Sequence, residues 1–343
     1  MNIRKTLLEG QAIPALPLAL DNQRKWSQQY QRALVRYYID AGAGGIAVGV
    51  HSTQFEIRDA EHQLFEPLLR YASEQIDLHA PKNDFIKIAG LCGRSEQAVT
   101  EAKLAASCGY HAGLLSMAAM NDVSESELLA HCKAVAEVIP IIGFYLQPAV
   151  GGKVFSYSFW KEFAQIENVV AIKMAPFNRY QTIDVVRAVL ESQRTDLALY
   201  TGNDDNIVAD LMTPWNFGGQ TKFISGGLLG QFGVWTSKAS AMLEKIKVAR
   251  TEGSISPDWW RINAALTDAN AAVFDAANNF RGVLCGIHEV LRRQGLLETN
   301  FCLDPAEVLS PGQAEELDRV CQAYPELTDD AFVQENLERW LAD

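Results

Sequence analysis

Lys173 is the residue whose type and position most clearly permit covalent chemistry. It lies near the end of an apolar run, Val169–Met174, that Pro176 closes. Burying an ammonium group among apolar residues is costly unless the group is paired or used. Desolvation lowers the pKa of a lysine, and the resulting free amine can attack a carbonyl and form a Schiff base. The alternatives are a lysine that extends to solvent or pairs with a carboxylate.

A second lysine, Lys87, lies in another apolar run, Phe85–Leu91. It comes early in that run, so we expect its side chain to be far from the end of the strand where chemistry takes place. We therefore interpret Lys87 as a structural residue.

Polar side chains also lie at the ends of two other apolar runs. Tyr145 is near the end of one, and its phenol is a candidate proton carrier or a plain aromatic packing residue. The loop after the other run contains His51, Ser52 and Thr53, whose side chains and backbone amides could hold a carboxylate. The same loop could also be an ordinary polar connection.

Two further runs end in candidate substrate-binding residues. Gly202 closes one of them and is followed by Asp204 and Asp205, whose carboxylates could bind hydroxyl groups. Because aspartate is a common helix cap, a structural role is equally open for this pair. Ser225 lies in the last run and is a candidate binding residue as well.

The histidines and cysteines show no pattern typical of a metal site. Six histidines form neither a His-x-His nor a His-x-x-x-His pair, so we expect no metal. Six cysteines lie far apart without a Cys-x-x-Cys pair, which indicates free thiols in a reducing compartment. Glu9, Gln11 and two prolines interrupt the N-terminal apolar stretch, which favours a first strand over a signal peptide. We therefore expect a cytoplasmic protein.

Composition and charge narrow the class of partner. Of the 343 residues, 48% are hydrophobic and 21% are charged, which is ordinary for a soluble globular protein. The formal net charge is −12 and no block of lysine or arginine occurs, which argues against nucleic acid and acidic membrane surfaces as partners. No apolar run approaches the roughly 18 residues of a membrane helix. A small-molecule substrate is the expected partner.

Eight short apolar runs, each followed by a segment of helical period, set the order of the elements. The runs are Ala12–Leu18, Gly45–Gly49, Phe85–Leu91, Ala112–Ser116, Ile141–Leu146, Val169–Met174, Ala198–Gly202 and Phe223–Gly226. Apolar runs without alternation are typical of parallel strands buried on both faces. Eight strand–helix pairs of roughly 30 residues come to about 240, the usual size of a closed barrel. An open doubly wound sheet is the alternative, but its Gly-x-Gly-x-x-Gly fingerprint is absent.

The chain is therefore predicted to be an α/β protein, a (β/α)8 TIM barrel with a C-terminal helical extension. We expect residues 1–250 to form the barrel and carry the active site at the carboxyl ends of its strands. Residues 251–343 are expected to form a helical appendage packed on the barrel. Its predicted helices are Asp258–Asn279, Phe280–Gly295 and Pro311–Ala323, followed by a frayed acidic tail, Pro325–Asp343.

Four short motifs in this order resemble the dihydrodipicolinate synthase and N-acetylneuraminate lyase family of class I, Schiff-base aldolases. They are the loop Val50–Gln54, the Tyr-x-x-Pro of Tyr145–Pro148, the Ile-Lys of Ile172 and Lys173, and the Gly-x-Asp of Gly202–Asp204. The resemblance covers roughly residues 10–310.

The resemblance implies a role for each matched residue. Lys173 would form an imine with a 2-oxo acid such as pyruvate, with neither metal nor cofactor, and Tyr145 would move the protons. Ser52 and Thr53 would hold the substrate carboxylate, and the Ser52 hydroxyl would relay protons to Tyr145. The family also implies a homo-oligomer, a dimer or a tetramer. Asp204 matches a position that contacts a sugar-acid tail in sialate lyases, and so does its neighbour Asp205.

The chain also departs from the family pattern. Val150 stands where dihydrodipicolinate synthase has an arginine, and Ser116–Met120 lacks the tyrosine that enters a neighbouring subunit's site. His51 and Gln54 replace a threonine and a glutamate of the loop. We therefore expect a lyase or aldolase of 2-oxo acids that does not serve lysine biosynthesis and whose second substrate is an aldehyde or a sugar acid. A sugar-acid dehydratase, a hydratase-aldolase for aromatic substrates and a non-catalytic barrel that binds a 2-oxo acid remain open.

Overall fold

The apolar runs form the parallel strands of a barrel in the computed structural model, which describes residues 1–80, 84–252 and 255–343. The strands are β1 (Ala12–Pro14), β2 (Gly45–Val48), β3 (Ile86–Leu91), β4 (Ala112–Leu115), β5 (Ile141–Leu146), β6 (Val169–Ala175), β7 (Ala198–Thr201), β8 (Trp215–Phe217), β9 (Gln220–Lys222) and β10 (Gly226–Leu229). Strands β8 and β9 form a separate antiparallel hairpin. The other eight pair in the order β1, β10, β7, β6, β5, β4, β3, β2. A parallel bridge between Ala15 and Ala47 joins the two ends of this sheet, so the predicted (β/α)8 barrel is confirmed.

Helices surround the barrel and continue beyond it. They are α1 (Ile3–Leu8), α2 (Gln28–Asp40), α3 (Phe65–His79), α4 (Ser95–Ser107), α5 (Glu125–Ala136), α6 (Tyr157–Phe163), α7 (Arg179–Glu191), α8 (Ile207–Met212), α9 (Thr236–Ala249), α10 (Asp258–Val273), α11 (Val283–Arg293), α12 (Gln313–Ala323) and α13 (Asp330–Leu341). Within the described ranges, none of these helices is long and apolar enough to cross a bilayer. The six cysteines are free thiols.

Alternation along each strand decides which side chains enter the barrel. On β5, Ile142 and Phe144 belong to the cluster inside the barrel, whereas Ile141 and Tyr145 pack outward against the helices. Because successive side chains of a strand point to opposite faces, one step along β5 separates a residue of the site from a residue of the outer core.

The acidic C-terminal segment is ordered, so the prediction of a frayed tail is wrong. Helix α13 packs on α2, and Trp340 is fully buried against the ring of Tyr37, with 5.4 Å between ring centroids. The indole Nε1 of Trp340 donates to Asp40 at 2.7 Å. Val333 is buried as well and lies on the same helix face as Trp340, seven residues away. This apolar face holds the segment in place despite its charge.

Candidate active site

A cavity of about 100 Å³ opens at the carboxyl ends of the barrel strands. The barrel contributes most of its wall, and the segment around α11 covers it. The lining residues are Ala15, Val50, His51, Ser52, Leu114, Phe144, Leu146, Gln147, Val150, Lys173, Ala175, Phe177, Gly202, Asp204, Gly230, Phe274, Phe280, Val283 and Ile287.

Lys173 projects from β6 into this cavity. Its ammonium lies 4.3 Å from the centroid of the Phe144 ring. Among the residues that the structure describes, no hydrogen bond or ion pair is formed by its Nζ. Burial lowers the pKa of Lys173, and the nearby Asp204 carboxylate offsets only part of this effect. The geometry therefore presents an amine that is easily deprotonated and faces an enclosed space.

Gly202 leaves the room that the lysine side chain occupies. A Cβ added at Gly202 would lie 2.7 Å from Cε of Lys173 and 2.9 Å from Cβ of Ala175. The backbone N–H of Gly202 donates to the carbonyl of Met174 at 2.6 Å, which fixes β7 close to β6 at this point. The predicted site residue Gly202 therefore shapes the cavity through its missing side chain.

The two aspartates after β7 occupy different environments. Asp204 lines the cavity, and its Oδ1 accepts a hydrogen bond from the N–H of Gln231 at 3.0 Å. Burial raises the pKa of Asp204, and the charge of Lys173 opposes that shift. Asp205 is exposed and lies outside the cavity, where its carbonyl accepts from the Thr267 hydroxyl at 2.8 Å. The prediction that Asp205 contacts substrate is therefore wrong.

In the loop after β2, likewise, some of the predicted residues face the cavity and one does not. His51 and Ser52 line the cavity. Thr53 is fully buried beneath them, where its hydroxyl donates to the carbonyl of Leu16 at 2.7 Å and accepts from the N–H of Gly49 at 3.0 Å. The Thr53 side chain thus holds the loop in shape, and the prediction that it contacts substrate is wrong.

His51 enters the cavity as a neutral imidazole. Burial and the positive charge of Lys173 together lower the pKa of His51 to about 4. At pH 7 the ring therefore carries one proton and can accept another. Its ring lies beside that of Phe55, with 6.0 Å between the ring centroids.

Tyr145 lies outside the cavity, so the geometry does not support the predicted role of Tyr145 in moving protons. Its ring packs between Phe155 and Trp160, with centroid distances of 5.5 and 5.1 Å. Its hydroxyl accepts a long hydrogen bond from the N–H of Phe155 at 3.4 Å. Phe144 takes the inward position, since Phe144 is the residue of β5 in register with Lys173 of β6.

Ser225 precedes β10 and lies at the opposite end of the barrel, so its predicted role in binding is also wrong. Its N–H donates to the carbonyl of Leu199 at 2.8 Å. The predicted strand ended at Gly226, whereas β10 begins there. Gly226 allows β10 to lie close to the segment that leads into β1. A Cβ at Gly226 would lie 2.4 Å from the carbonyl oxygen of Gln11.

Lys87 points outward from β3. Its Nζ contacts Asp77 at 2.8 Å and the Ser73 hydroxyl at 3.0 Å, both on α3. The structural role predicted for Lys87 agrees with these contacts.

Several aromatic residues of the site were not predicted from the sequence. Phe177 and Phe280 line the cavity, and their rings meet edge to face at 5.7 Å. Both have left-handed backbone conformations, with φ of 51° and 65°, which are costly for a bulky side chain. The helix predicted from Phe280 begins instead at Val283, because Asp275, Asn279 and Phe280 all adopt positive φ. The alternation of β5 would have identified Phe144, but no local signal marks Phe280.

Comparisons with known proteins bear on the family and the fold of the chain. A model described as the dihydrodipicolinate synthetase family matches residues 9–324. A 4-hydroxy-tetrahydrodipicolinate synthase of Acetivibrio thermocellus is 26% identical over 214 residues, which are 60% of this chain and 66% of that protein. N-acetylneuraminate lyase 2 of Escherichia coli O6:H1 is 22% identical over 309 residues, 89% of this chain and 90% of that protein. The structure of N-acetylneuraminate lyase from Fusobacterium nucleatum complexed with pyruvate is similar at a TM-score of 0.71 and 16% identity, covering 94% and 99% of the two chains.

Proposed function

Since the chain belongs to the dihydrodipicolinate synthetase family, we propose that it is a lyase that forms a Schiff base between Lys173 and a small 2-oxo acid of the pyruvate type. The observation that carries this proposal is the Lys173 amine, which faces the cavity with no ion pair within the described ranges and a lowered pKa. A neutral amine adds to the C2 carbonyl, and loss of water from the carbinolamine gives the iminium. The iminium then withdraws electrons and acidifies the C3–H bonds, and loss of one C3 proton gives an enamine whose C3 is nucleophilic.

The β2 loop supports binding of the substrate carboxylate. Ser52 lines the cavity, and in the part of the chain that the structure describes its hydroxyl has no intramolecular partner. That hydroxyl is free to donate to a carboxylate placed across the cavity from Lys173. Positive charge for an anionic substrate comes from Lys173 itself, first as the ammonium and then as the iminium.

The rest of the cavity favours an uncharged, apolar second half of the substrate. Val150 and Phe177 line it on one side, and Phe280, Val283 and Ile287 cover it. A polyhydroxylated tail would leave its hydroxyl groups unpaired against these walls, at a cost for each of about 1–3 kcal/mol. Among the open alternatives, the lining therefore favours an aldolase or hydratase-aldolase for apolar or aromatic substrates over a sugar-acid enzyme.

Reduction of the imine tests the Schiff base directly. The protein is incubated with pyruvate and sodium borohydride, digested, and analysed by mass spectrometry. We expect one reduced pyruvyl group on the peptide that contains Lys173. Pyruvate binding by calorimetry without any adduct would overturn the proposal and would favour the non-catalytic barrel.

The apolar lining predicts a preference among aldehydes. With pyruvate as donor, we expect benzaldehyde and isobutyraldehyde to be consumed at least about 10-fold faster than glyceraldehyde, because buried polar groups of the last would lack partners. Pyruvate consumption measured by a coupled assay would show this order. Equal or reversed rates would refute the assigned substrate class while leaving the Schiff base intact.

The position of Tyr145 predicts a small effect for Tyr145→Phe. Its hydroxyl lies outside the cavity and makes one long hydrogen bond, so borohydride trapping should stay within about twofold of the wild-type rate. The free energy of unfolding should fall by about 0.5–1.5 kcal/mol in urea titrations, the usual value for one hydrogen bond. A loss of trapping by orders of magnitude would instead return Tyr145 to the mechanism.

A further inference from the structure

Schiff-base chemistry at Lys173 needs a group that moves protons, and the inward-facing residue of β5 cannot supply it. Phe144 lies against the lysine amine and carries no ionisable group. Formation of the enamine requires a base to remove a proton from C3, and carbon–carbon bond formation requires an acid to protonate the aldehyde oxygen. Another residue of the cavity must therefore act in both steps.

Two side chains of the cavity besides Lys173 can titrate, His51 and Asp204. Asp204 follows β7, which pairs with β6, so it lies on the same side of the barrel mouth as Lys173. One of its oxygens is already bonded to the N–H of Gln231. Its place suits charge balance for the ammonium or iminium.

His51 approaches from the opposite side. In the closed ring, β2 is four strands away from β6 in either direction, so the β2 loop faces Lys173 across the mouth. A substrate bound covalently to Lys173 in a cavity of about 100 Å³ must lie between the amine and the His51 loop. Proton transfer needs such direct approach or at most one intervening water.

We propose that His51 is the proton carrier of this site, and this proposal rests on the Schiff base proposed at Lys173. A ring nitrogen of His51 takes the proton from C3. The electron pair of the broken C–H bond forms the C2–C3 double bond, and the imine π pair moves to nitrogen, which gives a neutral enamine and an imidazolium. When C3 attacks the aldehyde carbon, the imidazolium returns its proton to the aldehyde oxygen.

The charges of the site favour this exchange. Burial and, second to it, the positive charge at Lys173 lower the pKa of His51 and keep the ring neutral before the transfer. When the iminium becomes an enamine, that positive charge is lost, so one of the two effects disappears and the pKa of the imidazole rises. One positive charge thus stays in the cavity throughout and moves between the two sides of the mouth, with Asp204 present to balance it.

Exchange of the pyruvate methyl protons tests the proposal without any second substrate. In D₂O, removal and return of the C3 proton replaces the methyl hydrogens by deuterium, which ¹H NMR follows. The variants are His51→Gln, Asp204→Asn and His62→Gln, each assayed for exchange and for borohydride trapping of pyruvate. His62 is the matched control, since it lies outside the cavity beside Glu61.

We expect His51→Gln to keep the trapped adduct and to lose methyl exchange by about 100-fold or more, the usual size of general acid–base catalysis. His62→Gln should match the wild type in both assays. Exchange in His51→Gln within a few-fold of the wild type would overturn the proposal, and loss of exchange in Asp204→Asn alone would assign the step to Asp204. Wild-type protein that traps pyruvate but exchanges no protons would overturn the role of His51 alone. Wild-type protein that traps none would overturn the Schiff base and, with it, this proposal.

Discussion

Replacing Lys173 by methionine should eliminate the pyruvate adduct and reduce any turnover on the order of 10⁴-fold or more, as loss of a covalent nucleophile does elsewhere. Methionine keeps most of the length and volume of the side chain but has no amine. The fold should survive, because the substitution removes a buried ammonium that has no ion pair in the described part of the chain. Mass spectrometry after borohydride reduction and thermal unfolding of the same sample measure the two effects.

Lys87→Met is the matched control for this substitution. Lys87 lies in the same kind of apolar strand, but it points outward to Asp77 and Ser73. We expect this variant to be less stable and to trap pyruvate like the wild type. An adduct that persists in Lys173→Met would contradict the assignment, because some other lysine would then carry the imine.

Architecture, family and enzyme class could be read from the sequence, because each depends on patterns along the chain. Seven of the eight apolar runs placed their strands, with Ile141–Leu146 correct at both ends, whereas the run Phe223–Gly226 ends where β10 begins. The motif around Lys173 identified the family of lyases that the family match confirms. Its end-of-strand position also identified Lys173 as a residue of the cavity.

Side-chain direction was the main source of error at the site. The Tyr-x-x-Pro motif selects Tyr145, but the alternation of β5 turns Phe144 inward beside Lys173. The prediction for Thr53 failed for a different reason. A hydroxyl that binds substrate and a hydroxyl that holds a loop in shape cannot be told apart in the sequence. Phe280 lies some 100 residues from Lys173 in the chain, just before α11, and only the packing of this segment over the barrel mouth brings the two residues together.

The proposed substrate is an anion, whereas the protein is acidic. The net charge is −12, yet Lys173 carries its positive charge inside a cavity whose other wall is mostly apolar. Surface charges are screened over about 8–10 Å at physiological salt, whereas a charge in a buried cavity is screened much less. Local charge at Lys173 therefore matters more for a bound 2-oxo acid than the overall charge of the surface.

Gly202→Ala is expected to slow imine formation by about 100-fold, the effect of moving a reacting group by roughly 1 Å. The added Cβ would lie 2.7 Å from Cε of Lys173, 2.9 Å from Cβ of Ala175 and 3.1 Å from the carbonyl of Met174. The strand backbone cannot yield easily, because Gly202 is hydrogen-bonded to Met174. The flexible lysine must therefore move, and its amine moves with it. Rapid-quench borohydride trapping measures the rate.

Gly233→Ala separates this steric effect from a general effect of removing a buried glycine. A Cβ at Gly233 would meet the carbonyl of Ala15 at 3.4 Å and the hydroxyl of Tyr38 at 3.6 Å, which are ordinary contacts. Both variants should remain folded, with Gly202→Ala less stable by about 1–3 kcal/mol because its site is overpacked. If Gly202→Ala traps pyruvate at the wild-type rate, the lysine must reach substrate from a second rotamer. The position of Nζ above Phe144 would then not be the reactive one. Slow trapping in Gly202→Ala alone would establish that the space left by a missing side chain sets the reactivity of Lys173.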